Sequence, residues 1–411
     1  MQIIIVSQYF YPDRASTGQV LMEVAEDLVS AGIGVKVITG LPNYSTESGE
    51  KVPLEEEYKG IGIRRLNYIR RSKDRKTGRI ISYISFVRNV WKAIKKEEEY
   101  DAVLFVSNPP IVPLIGVRLK KRKKKFKFLY LVHDIYPDIA VELGVVGKWN
   151  PMTIVSNRIT NRALAWADSV IALGDDMKKK LLEKKTASDE RINVIPNWAD
   201  PEKLYPSEVK ENVFRDVPED HIKLLYTGNI GLYYNLEYLI QAARELQDEN
   251  CSFIFVGEGG MKQRLLELAG KSGSSHSQLD TRRSLLDNVY FYPYFPIEDY
   301  NRVLNSGDIL IVTLKEGIEG ISVPSKLYSY MAVGKPVLGM ISDRSDVGLE
   351  IERSGLGLRA DPGDLGDFVE KAKILIHNEA KRKEYGTNCL RVFKEKYARK
   401  IVTRKFIDLL Q

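Results

Sequence analysis

The chain has 411 residues, 44% of them hydrophobic and 28% charged, enough for two domains with separate cores and unlike a disordered or fibrous composition. No apolar run approaches the roughly 20 residues that span a bilayer, and Cys251 and Cys389 match no metal or redox spacing, which fits a reducing, cytoplasmic compartment. The net charge of +7 is local in origin: residues 61–130 hold 20 Lys and Arg against 5 Asp and Glu, so the remainder of the chain is acidic.

The opening run Ile3-Ile4-Ile5-Val6 lacks a charged flank and runs straight into Tyr9-Phe-Tyr-Pro-Asp13, so it reads as a first strand rather than a signal peptide. Strands are predicted over 2–7, 34–39, 62–68, 101–107, 126–133 and 169–173, several of them wholly apolar, as strands covered on both faces must be. A helix is predicted over 17–31, where Val20, Leu21, Val24, Ala25, Leu28 and Val29 share one face and Gly32 stops it. A second helical stretch begins at Ile80, with Ile80, Ile84, Val87, Trp91 and Ile94 as its inward stripe and Ile81 and Phe86 off it.

The rhythm restarts near residue 190. The proline-rich stretch 192–218 reads as the connection, strands follow at 222–227, 252–256, 288–292, 309–314 and 336–340, and 271–284 reads as a surface insertion. The segment 378–410 is helical and charged. The expected architecture is α/β, with two Rossmann-like, doubly wound parallel-sheet domains facing a cleft. Their expected bounds are 1–190, which is basic, and 191–388. Residues 389–411 form a helix that can return to the first domain.

Four loops at predicted strand ends carry chemistry. Loop 9–18 supplies Pro12, Asp13, Ser16, Thr17 and Gly18 where a helix opens, which suits an anion but also an ordinary cap. His133 and Asp134 end a central strand, where a histidine either faces a ligand or is structural. Gly320-Ile-Ser-Val-Pro-Ser-Lys326 places an ammonium at a helix start, as a diphosphate needs, although a lysine there can also be a bare surface charge. Tyr226-Thr-Gly-Asn-Ile-Gly231 and Val256-Gly-Glu-Gly-Gly260 each follow a strand and precede a helix. The fingerprint G-x-G-x-x-G is absent, so a dinucleotide is not expected.

The ordered set Gln8-Tyr-Phe-Tyr-Pro-Asp13, Gly40-Leu-Pro-Asn-Tyr44, His133-Asp-Ile-Tyr-Pro-Asp138, Pro196-Asn197, Gly228-Asn-Ile-Gly231, Val256-Gly-Glu-Gly259 and Val323-Pro-Ser-Lys326 resembles glycosyltransferase family 4. Within it the chain is most similar to bacterial surface-polysaccharide enzymes of the fucosamine and colanic-acid transferase type. The resemblance implies the GT-B fold and a retaining transfer from an NDP-sugar, of UDP or GDP type, to a saccharide or polyprenyl-linked acceptor. Carried over, it implies that Gly18 lies against the donor diphosphate, that His133 contacts the sugar, and that Lys326 meets the phosphates. Glu258, with Gly257 and Gly259, would line the base and ribose pocket, and Thr17, Asn197, Gly228, Asn229, Val323, Pro324, Ser325 and Ser329 complete the expected substrate contacts. Two departures stand out. Leu232-Tyr-Tyr-Asn235 lacks the basic residue many members carry, and the family's second glutamate falls at Ser329, leaving Glu319 as a substitute.

No D-x-D triplet and no metal-ligand spacing occurs, so neither metal nor cofactor is expected. The two cationic runs, 70–79 and 118–127, predict a peripheral contact with the anionic inner face of the cell membrane through Arg70, Arg71, Phe86, Lys120, Lys121, Arg122, Lys123, Lys124 and Lys125. Two alternatives carry the same features: a sugar-nucleotide 2-epimerase of the same fold, and a nucleic-acid-binding protein. Against the second, the basic run is not interleaved with aromatics and no nucleic-acid motif accompanies it, so no nucleic-acid partner is expected.

Overall fold

The computed structural model describes residues 1–13, 16–42, 52–70, 76–122, 125–209, 213–270 and 286–411. The chain forms two compact units. The first comprises Met1–Pro196, Gly320–Ser322 and Lys400–Gln411, and the second Asn197–Glu319 and Val323–Arg399.

The first unit is built on strands β1 (Gln2–Val6), β2 (Gly34–Gly40), β3 (Glu55–Tyr58), β4 (Ile61–Leu66), β5 (Ala102–Val106), β6 (Lys127–Leu131), β7 (Ser169–Ala172) and β8 (Ile192–Val194). They form one sheet in the order β3-β4-β2-β1-β5-β6-β7-β8, parallel except for β3, which runs antiparallel to β4. Strands β1 and β5 are buried along nearly their whole length, because helices cover both faces of such a sheet. Strand β3 is missing from the sequence reading because its sequence, Glu-Glu-Glu-Tyr, carries the charge of a protected edge rather than the apolar signal of a strand. It nevertheless anchors a loop: Glu56 pairs at 2.6 Å with the buried Arg65, whose guanidinium also donates to the Tyr11 carbonyl at 3.0 Å. Helix Ser16–Ser30 buries Leu21, Val24, Ala25 and Leu28 against the sheet. Helix Arg399–Leu410 belongs to this unit, where Thr403 Oγ1 donates to Asp27 Oδ2 at 2.7 Å and Lys127 donates to the Leu409 carbonyl.

The second unit has strands β9 (Ile222–Thr227), β10 (Cys251–Val256), β11 (Val289–Tyr292), β12 (Ile309–Thr313), β13 (Val337–Met340) and β14 (Gly357–Ala360), all parallel, in the order β11-β10-β9-β12-β13-β14. Its core gathers Tyr226, Leu239, Phe253, Phe255, Ile311 and Phe368, among others. β8 and β14, of three and four residues, are too short to leave a periodic signature. The stretch expected to be helical over 378–410 is helices Glu379–Val392 and Arg399–Leu410 joined by a π-helical turn, Phe393–Tyr397.

One expectation needs correcting. Helix Lys76–Ile94 turns Ser82, Phe86, Val90, Ala93 and Ile94 inward, while Ile84 is 57% and Ile81 46% exposed. Phe86 is fully buried and packs edge-on against Tyr68 with ring centroids 5.2 Å apart, so it is a core residue and not a membrane contact. The buried stripe starts on Gly78 and Ser82, which do not register as apolar, and the hydrophobic pattern therefore points to the wrong phase. We expect Phe86→Ala to cost about 3–5 kcal/mol and Ile84→Ser to stay within about 0.5 kcal/mol, as read from urea unfolding. The reverse ranking would restore the original phase.

Candidate active site

In the second unit, sheet order grows from β9 outward to β10 and β11, then jumps back to β12 and grows the other way. The loops leaving β9 and β12 therefore part in opposite directions and leave a crevice at their carboxyl ends, the site where open parallel sheets hold ligands. The loop after β9 carries Gly228, and the chain after β12 leads to helix Lys326–Ala332. The two meet: a Cβ on Gly228 would lie 3.8 Å from Lys326 Nζ.

Lys326 is the most unusual charge in this unit. Its ammonium is buried and has no hydrogen-bond partner. It lies 3.5 Å from the ring centroid of Tyr226 and 4.3 Å from that of Tyr234. Burial alone holds its pKa well below the ordinary lysine value, because the rings offer a negative face but no counter-charge. Tyr234 sits in Leu232-Tyr-Tyr-Asn235, the loop that lacks the family's basic residue, and this loop is tied down by Lys315 N donating to the Tyr233 carbonyl at 2.8 Å. Neither aromatic was foreseen as a site residue. Tyr226 stands in a noted motif, but nothing in the sequence signals that Tyr234 faces a lysine.

The glycine loops serve each other. Gly228 N donates to the Val256 carbonyl and Ile230 N to the Glu258 carbonyl, each at 2.9 Å. Gly257 adopts φ +153°, and a Cβ there would stand 1.9 Å from the Gly228 carbonyl oxygen. Glycine is thus required for loop-on-loop contact whatever the ligand. Asn229 folds its side-chain amide over Gly231, and its carbonyl accepts from the Tyr226 hydroxyl at 2.8 Å. Glu258 is half-exposed and pairs with Lys262 at 2.6 Å. Gly259 also lies against the first loop, at the Ile230 carbonyl.

Ser329 hydrogen-bonds Tyr300. With Thr227 and Tyr330 it forms a hydroxyl cluster, in which Thr227 Oγ1 lies 3.2 Å from the Tyr330 hydroxyl and 3.4 Å from that of Tyr300. Glu319 is buried and accepts from Gly317 N at 2.7 Å, with Arg344 at 3.5 Å. Pro324 is buried, Val323 is half-buried, and the exposed Ser325 precedes Lys326 without a side-chain cap bond. Asn197 is buried.

The first unit has its own switch point, between β1 and β5. Gln8 Oε1, Thr39 Oγ1, Asn108 Oδ1 and His133 Nε2 lie at or just beyond the carboxyl ends of the four neighbouring strands β1, β2, β5 and β6. All four atoms are buried without a partner. Thr39 and Asn108 were not foreseen, and Gln8 entered only as the first residue of a motif, since a polar residue at the end of an apolar run reads as the start of a loop. The His133 backbone N donates to the Ser107 hydroxyl oxygen at 3.0 Å, and burial pulls the imidazole down to about 4. Burial raises the Asp134 carboxyl, against a lowering hydrogen bond from Ser322, and Ile135 N donates to the Ile321 carbonyl at 3.0 Å. Gly18 is buried, and a Cβ there would stand 3.3 Å from the Asp13 carbonyl oxygen. Thr17 is half-buried beside it.

Of the expected membrane contacts, Arg70 donates to the Pro42 carbonyl at 2.8 Å and Lys120 pairs with Asp168 at 2.5 Å. Lys121 lies 5.6 Å from the Trp166 ring and Arg122 5.1 Å from the Trp91 ring, so the fold brings tryptophans from other helices to the run. Lys125 is exposed. Arg71, Lys123, Lys124, the Asn43-Tyr44 pair and the insertion expected at 271–284 lie outside the described residues. Among the described residues no His, Cys, Asp or Glu cluster is placed to hold a metal ion, and no helix is long and apolar enough to cross a membrane.

Two doubly wound parallel-sheet units of this kind are the GT-B glycosyltransferase fold. Residues 17–203 match the model for Glycosyltransferase Family 4 and residues 209–391 that for Glycosyl transferases group 1, and the chain belongs to glycosyltransferase family 4. It is 26% identical over 367 residues to WbjE of Pseudomonas aeruginosa, named a probable glycosyltransferase, covering 88% of this chain and 86% of that protein. It is 24% identical over 406 residues to WcaI of Escherichia coli K12, named for colanic acid biosynthesis glycosyl transfer, covering 95% and 96%. Among solved structures, Anabaena HepE in complex with UDP-glucose superposes with a TM-score of 0.71 at 16% identity, covering 100% of this chain and 99% of that one.

The His133 environment sets a pH dependence. With its folded pKa held near 4 against about 6.5 unfolded, the unfolded chain takes up a proton between those values that the folded chain refuses. Stability therefore falls as pH drops through that window, by up to about 3 kcal/mol from this group. Urea midpoints at the two ends of the window are expected to differ less in His133→Gln than in wild type. An unchanged difference would show that His133 titrates freely.

Proposed function

We propose that this chain transfers a sugar, with retention, from a nucleoside diphosphate donor of UDP or GDP type to a saccharide or polyprenyl-linked acceptor in cell-surface polysaccharide or lipopolysaccharide assembly. The observation that carries the reading is the Lys326 ammonium, buried beside the Gly228 loop with aromatic rings but no acceptor around it. A diphosphate supplies the missing counter-charge and acceptor oxygens. The name of WbjE supports glycosyl transfer and that of WcaI transfer in polysaccharide assembly, and the complex formed by HepE supports a nucleotide-sugar.

In this reading Lys326 stabilises the charge that grows on the departing diphosphate. Gly228, Asn229, Gly257, Glu258, Gly259, Val323, Pro324, Ser325 and Ser329 shape the donor pocket, Glu319 stands in for the family's glutamate, and Asn197 contributes from the same unit. On the acceptor side, neutral His133 hydrogen-bonds the transferring sugar, Thr17 and Gly18 meet the donor phosphates, and Gln8, Thr39 and Asn108 receive hydroxyls. The bond from the anomeric carbon to the phosphate oxygen breaks as the bond to the acceptor oxygen forms on the same face. The acceptor's proton passes to the leaving diphosphate. No metal is assigned a part, since Lys326 and backbone amides carry the charge and the sequence has no D-x-D.

Work on a polyprenyl acceptor places the protein at the cytoplasmic face of the cell membrane, held there by Arg70, Lys120, Lys121, Arg122 and Lys125 with the rest of the two basic runs. Such cations contribute about 1 kcal/mol each near an anionic surface.

Thermal shift against UDP-, GDP- and dTDP-sugars identifies the donor, because a ligand of the folded state raises Tm. With that donor, Lys326→Ala is expected to lower turnover by about 10²-fold or more with an unchanged far-UV spectrum. Lys326→Arg should lose less, and transfer should persist in EDTA. Near-wild-type turnover in a folded Lys326→Ala would remove the lysine from the mechanism.

A further inference from the structure

The segment 145–166 of the first unit contains no carboxylate and three cations, Lys148, Arg158 and Arg162. Its presentation is rigid. Asn150 caps helix Pro151–Trp166 by accepting from Met152 N at 2.9 Å, and Pro151 presets the first turn. Thr153 Oγ1 donates to the Gly147 carbonyl at 2.9 Å, and Thr160 Oγ1 donates to the Tyr136 carbonyl at 2.7 Å. Thr153, Thr160, Ala163 and Leu164 form the buried side of the helix.

The outward side mixes apolar side chains with cations. Trp149 is 82% exposed and Val155 54%, and Val145, Met152, Ile154 and Trp166 are exposed with them. Val155, Arg158, Arg162 and Trp166 recur at helical spacing and so line one face. Lys148 lies 5.9 Å from the Trp149 ring, and Lys121, from the basic run, 5.6 Å from the Trp166 ring. A cluster of exposed large apolar side chains of this kind marks an interaction surface. Interleaved cations without any anion, flanked by tryptophans at both ends, match the headgroup level of an anionic bilayer, where an indole sits with one side apolar and one side wet. A second copy of this chain fits poorly, since a two-fold contact would set Arg158 and Arg162 against like charges.

We propose that this face, led by Trp149 and Val155, inserts into the interfacial layer of an anionic membrane and fixes how the first unit meets the lipid. The proposal rests on the reading that the chain works at a membrane, but it assigns a surface separate from the 118–127 run and an apolar contact where that run supplies only charge.

The test uses the full chain and vesicles of mixed phosphatidylglycerol and phosphatidylcholine. Brominated acyl chains are expected to quench a fluorescence component of wild type that is missing from Trp149→Ser. The double variant Trp149→Ser/Val155→Ser should lose about tenfold or more in vesicle partition, and the remaining difference should survive about 0.5 M salt, which screens the basic run. Donor-induced thermal shift and turnover on a short soluble acceptor should be unchanged in the double variant, so a failed insertion is separable from a failed transferase reading. Partition equal to wild type, or absence of bromolipid quenching, overturns the proposal. So does a double variant that changes only from dimer to monomer, which would make the face a contact between copies.

Discussion

A reversal in strand order governs where the chemistry sits. In a parallel sheet every strand delivers its following loop to the same edge, and only where successive connections part in opposite directions does that edge open. The second unit reverses between β9 and β12 and the first between β1 and β5. Gly228 and Lys326 come from the two sides of the first of these openings, although 98 positions separate them in the chain. Gln8 and Asn108 come from the two sides of the other. Residues with no sequence proximity become neighbours because the topology leaves nowhere else for polar side chains to gather among apolar strands.

Within that opening, the proposed reading gives phosphate charge to one desolvated lysine that faces two tyrosine rings. An ammonium over aromatic faces gains about 0.5–2 kcal/mol, far less than full hydration would give it, so the site retains an unmet demand for an anion. Tyr234 sits in the loop that lacks the basic residue many family members carry, and its ring approaches Lys326 to 4.3 Å. Ser329, standing where the family has a glutamate, is drawn into hydroxyl contacts with Tyr300, while the buried Glu319 carboxylate is engaged by Gly317 and Arg344.

How much of this was legible depended on the kind of signal each feature leaves. Long apolar strands such as β9 and β12 announce themselves, since burial on both faces demands unbroken Val, Ile, Leu and Phe. Strand β3 does not, because an exposed edge selects charge, and β8 and β14 are too short for any period to show. Helix Lys76–Ile94 was found but turned the wrong way, because its buried stripe opens on Gly78 and Ser82, and only tertiary packing reveals that Phe86 faces inward. Lys326 and His133 were legible from their places at strand ends within an ordered set of motifs. The glycines of the two loops were legible too, but for a different reason than expected: Gly257 is compelled by the Gly228 carbonyl. Tyr234 was not legible, because a ring near a lysine is a three-dimensional coincidence that sequence spacing does not encode.

The central claim is that Lys326 waits, short of a counter-charge, for a diphosphate. Calorimetric titration with the nucleoside diphosphate, run in buffers of differing ionisation enthalpy across a range of pH, tests it most directly. Burial has lowered the free ammonium's pKa and a bound diphosphate raises it again, so binding should draw in a proton at any pH between those two values. The account predicts this uptake in wild type, and in Lys326→Met both its loss and a large drop in affinity. Equal affinity and equal proton count in the two proteins would contradict it.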